Sequence, residues 1–196
     1  MKLSGVVRQW ALLACVVGLM SFAMAQDVAH AVSGVVTKVD KDAKTLSVKT
    51  ADGTEHVFKY SEKTGLHASH EAAAGMKKGA LDSYFAGKEG THVVVHYTEK
   101  GGDKTATWVD DLGKDTVKSA HGTITKIDKN AHTVTIKADD GAESTYAFGK
   151  EAASDSEHGV VKGWDYTASK AKAGDKVSVE YTEDAGKKVV HFFTAL

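Results

Sequence analysis

The sequence predicts a mainly β protein made of two tandem copies of one small five-stranded barrel, and three observations carry that prediction. The stretch Gly34–Glu55, GVVTKVDKDAKTLSVKTADGTE, returns as Gly122–Glu143, GTITKIDKNAHTVTIKADDGAE. Within each copy the apolar residues fall at every second position, the period of a strand with one face inward. What recurs between them is turn chemistry and inward apolar character, the requirements of a barrel wall.

The first strand of each copy reads Gly34-x-Val36-x-x-Val39-Asp40 and Gly122-x-Ile124-x-x-Ile127-Asp128. Its apolar spacing slips by one, as at a β-bulge. Asp40-Lys41-Asp42-Ala43 and Asp128-Lys129-Asn130-Ala131 are turn material, because Asp and Asn bond their own backbone and tolerate the left-handed region. Strand two points Leu46 and Val48, or Val134 and Ile136, inward, with Thr45, Ser47 and Lys49 outward. Asp52-Gly53 and Asp140-Gly141 signal the next hairpin, and strand three turns Phe58 and Tyr60, or Tyr146 and Phe148, to the core. A fourth strand carries Val93, Val95 and Tyr97, matched by Val177, Val179 and Tyr181. A glycine turn follows, and the fifth strand runs through Trp108 or Phe192.

The offset between copies changes midway, from 122 − 34 = 88 early to 181 − 97 = 84 late, so the first copy holds extra residues between Tyr60 and Gly75. Strands three and four are separated by about 25–30 residues, too long for a structureless connection in a compact domain. A short helical crossover is expected at Ala80–Ala86 and Thr167–Lys172, with a further turn at Glu71–Lys77. Three strands, a helical crossover and two strands is the order of an OB-like fold. The expected layout is a signal peptide over 1–25, a first barrel over 31–112, a linker over 113–119 and a second barrel over 120–196.

The signal assignment rests on Lys2 and Arg8, the apolar run Trp10–Phe22, and the small-x-small site Ala23-Met24-Ala25. It implies a periplasmic or extracellular protein with no stable membrane insertion after cleavage. The single cysteine, Cys15, lies inside this segment, in a weak lipobox-like context. The mature chain therefore has no disulfide, thiolate nucleophile or thiolate metal site. Cleavage removes the only arginine, Arg8, and leaves an acidic chain.

The order G-x-Φ-x-x-Φ-D, T-Φ-x-Φ-K, D-G and G-x-x-V-x-V-x-Y-T resembles small exported bacterial domains of unknown function. It is more distantly similar to the periplasmic copper-binding OB proteins of cation-efflux systems. That resemblance implies an OB-like fold. The copper proteins bind through methionines, a histidine and a tryptophan on the barrel, whereas the one mature-region methionine here, Met76, falls in the crossover.

All ten histidines lie in the mature chain, yet they do not recur between copies: Lys176 stands for His92, Glu180 for His96, Ser144 for His56 and Thr107 for His191. They read as solvated surface. His92 and His96 on one strand are about 13 Å apart, too far to share a metal whose bonds are near 2 Å. His67, His70 and Glu71 are better spaced, since His67 and His70 share a face if the segment is helical. Zn, Cu or Ni are the metals that such a set would take, weakly and with little selectivity; no resident cofactor is expected otherwise. Asp40-x-Asp42 and Asp128-x-Asn130 begin like a calcium loop but lack its glycine and closing glutamate.

The outward residues of strands two and three include no aromatic and no arginine, so a nucleic-acid platform is not expected. Nothing in the spacing of Ser, Asp and His specifies a catalytic site, Ser154-Asp155-Ser156-Glu157-His158 included. Trp164 and Tyr166, with Tyr84 and Phe85, are expected to plug the barrel mouths, the alternative being an exposed patch. The functional expectation is a non-enzymatic binding or structural protein of the bacterial envelope, its partner a small ligand or an envelope protein. The alternative is weak transition-metal binding at His67 and His70.

Overall fold

The computed structural model describes residues 29–68, 81–114, 116–154 and 161–196. It is mainly β, with two six-stranded sheets of OB-like order. The first contains β1 (Ala29–Asp40), β2 (Thr45–Lys49), β3 (Glu55–Lys59), β4 (Gly65–Ala68), β5 (His92–Lys100) and β6 (Asp103–Gly113), with α1 (Leu81–Tyr84) before β5. The second contains β7 (Val117–Asp128), β8 (Thr133–Lys137), β9 (Glu143–Ser154), β10 (Val161–Lys162), β11 (Lys176–Asp184) and β12 (Lys187–Ala195), with α2 (Gly163–Ser169) before β11. The strand orders are β3-β2-β1-β5-β6-β4 and β10-β9-β12-β11-β7-β8. Further pairings of β3 with β6 and of β8 with β9 carry each set of pairings round in a circuit.

The local signals act as expected. The register of β1 on β2 shifts between Val36 and Lys38, and that of β7 on β8 between Ile124 and Lys126, which are the two bulges. In the first turn Asp40 Oδ1 accepts from Ala43 N at 2.9 Å, and in its counterpart Asp128 Oδ1 accepts from Asn130 N and Ala131 N. Each turn ends on a left-handed residue, Lys44 (φ 53°) or His132 (φ 54°). The repeated glycines Gly34 and Gly122 sit where β1 and β7 pass over the end of the next strand. A Cβ there would stand 2.4 Å from Lys49 O or 2.3 Å from Lys137 O, so only glycine permits the approach.

Three expectations need correction. Each sheet has a sixth strand, because Gly65–Ala68 adds in parallel to β6 and Val161–Lys162 adds to β9. The first is a non-local pairing, which sequence periodicity does not reveal, and the second is a local return of only 2 residues, too short to show a period. Helix α2 begins at Gly163 rather than near Thr167, whereas α1, with 4 residues, falls within the expected Ala80–Ala86. Ser47, read as outward with Thr45 and Lys49, is buried. The turn expected at Glu71–Lys77 lies outside the described residues.

Each repeat has its own core. The first gathers Val36, Leu46, Val48, Phe58, Val93, Val95 and Val109, closed at one end by Leu81 and Phe85 around α1. The second gathers Ile124, Val134, Ile136, Val177, Val179, Val190 and Phe193. Burying each such side chain stabilises the fold by roughly 1.5–3 kcal/mol before entropy is counted. A third apolar cluster lies between the repeats: Ala31 of β1, Val94 of β5 and Leu112 of β6 meet Ala153 of β9, flanked by Val117 and Phe192.

Candidate functional site

Strand alternation decides which side chains reach that seam. Val93, Val95 and Tyr97 face the first core, so His92, Val94 and His96 take the opposite face of β5. On β1, Ser33 stands across from Val94 and Ala31 from His96; on β6, Asp110 stands across from Val94 and Trp108 from His96. On β4, His67 is the register partner of Asp110. One sheet face therefore presents His67, Trp108, Asp110, His96, His92 and Ser33 toward the second repeat.

Asp110 is 3% exposed and forms the centre of a small network. Trp108 Nε1 donates to its Oδ1 at 2.8 Å, and His96 Nε2 lies 3.2 Å from its Oδ2. His67 Nδ1 approaches Oδ1 to 3.4 Å, yet it is buried with no hydrogen-bond partner. The neighbouring Asp111 ties β6 to α1: Tyr84 Oη donates to it at 2.8 Å, Gly113 N at 2.7 Å, and Lys88 Nζ lies 3.7 Å away.

The second repeat contributes Glu180 and His191. Glu180 Oε2 accepts from Ser33 Oγ and lies 2.9 Å from His92 Nε2, which is itself 3.0 Å from Ser33 Oγ. Burial works to raise the Glu180 carboxyl, but the hydrogen bonds from His92 and Ser33 outweigh it and leave the group below the ordinary range. His191 Nε2 pairs with Thr182 Oγ1 at 2.8 Å. Burial pushes its imidazole down to about 4, against partial support from Asp110.

Ser33, His92 and Glu180 together have the composition of a hydrolytic triad, but not its wiring. A triad histidine uses one ring nitrogen for the serine and the other for the carboxylate. Here Nε2 serves both, and Ser33 donates directly to Glu180. No proton path runs from Ser33 through the ring, and the hydroxyl itself is buried.

Of the residues singled out in sequence, His67 lies in this network, whereas His70 and Glu71 fall outside the described residues. His92 and His96, read as solvated surface, each have side chains only 21% exposed: Glu180 of the second repeat lies against His92, and Asp110 of β6 against His96. Among the described residues, no three His, Cys, Asp or Glu side chains are placed to hold a metal ion. Sequence reasoning missed Ser33, Asp110, Glu180 and His191 as a cluster. One signal was present: Val93-Val94-Val95 breaks the alternation, as a strand covered on both faces does.

The barrel mouths differ. In the second, the partly buried Trp164 of α2 stacks on the exposed His132 with ring centroids 4.8 Å apart and meets Phe148 edge-on at 5.4 Å, while the side chain of Tyr166 lies outside the described residues. In the first, Phe85 is fully buried. Beside it a cavity of about 310 Å³ remains, lined by Lys44, Tyr60, Ser61, Glu62, Leu81 and Asp82. Asp82 accepts from Lys44 Nζ and from Tyr60 Oη, and these bonds hold its carboxyl below the usual range.

The fold and the seam define a tandem OB-like β protein whose repeats meet through a polar, histidine-containing face. No protein-family model matches the chain, and no curated protein matches it. Among solved structures it is distantly similar to CusF. The silver-bound form is 17% identical with a TM-score of 0.32, over 41% of this chain and 97% of that one. A variant of CusF from Escherichia coli with Cu(II) is 18% identical with a TM-score of 0.32, over 43% and 96%. Apo-CusF from Escherichia coli is 18% identical with a TM-score of 0.30, over 41% and 87%. Among the described residues no helix is long and apolar enough to cross a membrane.

Proposed function

We propose that the protein is an exported, non-enzymatic binding protein of the bacterial envelope whose two barrels act as one body. The observation that carries this reading is the use to which the seam puts its polar groups. Ser33, His92 and Glu180 bond across the repeats around the apolar cluster of Ala31, Val94, Leu112 and Ala153, a structural rather than catalytic arrangement. A Ser33→Ala variant is the direct test. Neither it nor the wild-type mature protein should turn over activated esters above background. Wild-type turnover abolished by Ser33→Ala would overturn the reading.

A second reading is weak transition-metal binding anchored on His67. It is favoured by the buried, unpartnered His67 Nδ1 beside Asp110, with His70 and Glu71 as further ligands. Zinc, nickel and copper titrations of the mature protein and of a His67→Ala/His70→Ala variant test it. Weaker binding by the variant supports the site, and identical isotherms dispose of it.

A further inference from the structure

We infer that the mouth of the first barrel is a binding site for a small planar aromatic molecule carrying an N–H donor, seated where the Trp164 indole sits in the second barrel. The internal repeat supplies the template. Lys44 and His132 hold the same place in the two copies, as do Tyr60 and Phe148 (132 − 44 = 88, 148 − 60 = 88). The local backbone agrees. Lys44 and His132 have φ of 53° and 54°, and Tyr60 N donates to Lys44 O at 2.9 Å just as Phe148 N donates to His132 O at 3.0 Å. Two side chains thus leave the same frame at each mouth.

In the second barrel that frame holds a ring between His132 and Phe148. In the first, Lys44 and Tyr60 line a cavity of about 310 Å³. With the shorter offset of the later part of the repeat, Trp164 corresponds to Ala80, which has no ring to offer (164 − 84 = 80). The volume is at the lower end of small-molecule pockets and suits one fused ring rather than a large ligand. The lining suits such a ring chemically. Leu81 and the Tyr60 ring give apolar area, and the Lys44 ammonium takes the position over the ring face that His132 takes over Trp164. Asp82 has acceptor capacity beyond its bonds to Lys44 and Tyr60, because a carboxylate offers about four lone-pair sites. Glu62 adds another acceptor at the rim. Both favour a ring with an N–H over a bare hydrocarbon.

Indole itself is the probe, titrated into the mature full chain and followed residue by residue by NMR. One molecule should bind, with shifts at Lys44, Tyr60 and Leu81 and none at His132 or Phe148. Lys44→Gly, which accepts the left-handed turn, should weaken binding about threefold to fivefold. Trp164→Ala should open the second mouth and raise the stoichiometry from one to two. Absence of shifts at the first mouth in the wild type at millimolar indole overturns the inference, even if Trp164→Ala binds one molecule. Equal affinity for a saturated ring of the same size overturns the aromatic class.

Discussion

His92 Nε2 of β5 stands 2.9 Å from Glu180 Oε2 of β11, and Ser33 of β1 donates to that same oxygen. Three strands from two repeats are thereby joined at one carboxylate, itself mostly buried. Glu180→Ala leaves the Ser33 hydroxyl and the His92 ring without their acceptor in a half-dry environment. A loss of about 1–3 kcal/mol is expected on urea denaturation. Glu180→Gln keeps an acceptor and should cost less. Unchanged stability for the alanine variant would mean that the contact does not hold the repeats together in solution.

His191 makes stability depend on pH. Its folded pKa is lowered by burial to about 4, whereas an unfolded imidazole titrates near 6.5. The group is neutral in both states above about 6.5, so its environment costs nothing there. As the pH falls toward 4 the unfolded chain takes up a proton that the folded chain refuses, and stability is lost over that window. The groups facing His191 are Asp110, His92, His67 and Glu180, with Thr182 as hydrogen-bond partner. His191→Gln should flatten the pH 4–6.5 slope of the unfolding free energy, and an unaltered slope would contradict the assignment.

Acid acts on Glu180 at a lower pH. Its folded pKa is depressed, so its contribution is present above the ordinary carboxylate range and is lost as pH falls through the folded value. Unfolding curves from pH 5 downward should be shallower for Glu180→Gln than for the wild type. Parallel curves would count against the paired carboxylate.

Gly34 and Gly122 are equivalent positions with equivalent constraints. An added Cβ would meet a backbone carbonyl at 2.4 Å or 2.3 Å, and strands cannot step aside as a flexible side chain can. Gly34→Ala and Gly122→Ala should each destabilise by about 1–3 kcal/mol, seen as a lower thermal midpoint. A neutral result at either would show that the strand crossing is looser than described.

Gly65 presses on a side chain instead. A Cβ there would lie 1.8 Å from Trp108 Cε3, so the indole must move and its Nε1 must release Asp110. In a Trp164→Phe background, Gly65→Ala should shift the tryptophan emission to the red and lower the stability. Emission at an unchanged wavelength would sink the proposed coupling between β4 and the Asp110 network.

The sequence by itself determined the features whose causes are local. Asp40 and Asp128 cap their own turns, Gly53 and Gly141 end hairpins, and Leu46 and Val134 fall inward by alternation, all within some twenty residues of chain. The fold class and both bulges follow from such signals. The tertiary structure decided what covers the outward face. Period-two alternation says which side of a strand a residue takes, but not whether water or another sheet lies beyond it. His92 and His96 were replaced by Lys176 and Glu180 in the second copy, and that difference read as solvated surface. It instead marks where the copies meet: two sheets from one ancestral pattern pack face to face, so each must offer what the other lacks, and Glu180 answers His92 and Ser33 across 88 and 147 positions. The same holds for the mouths, where Trp164 lies over one while Leu81 and Phe85 close the other beside a cavity, a distinction set by packing in space.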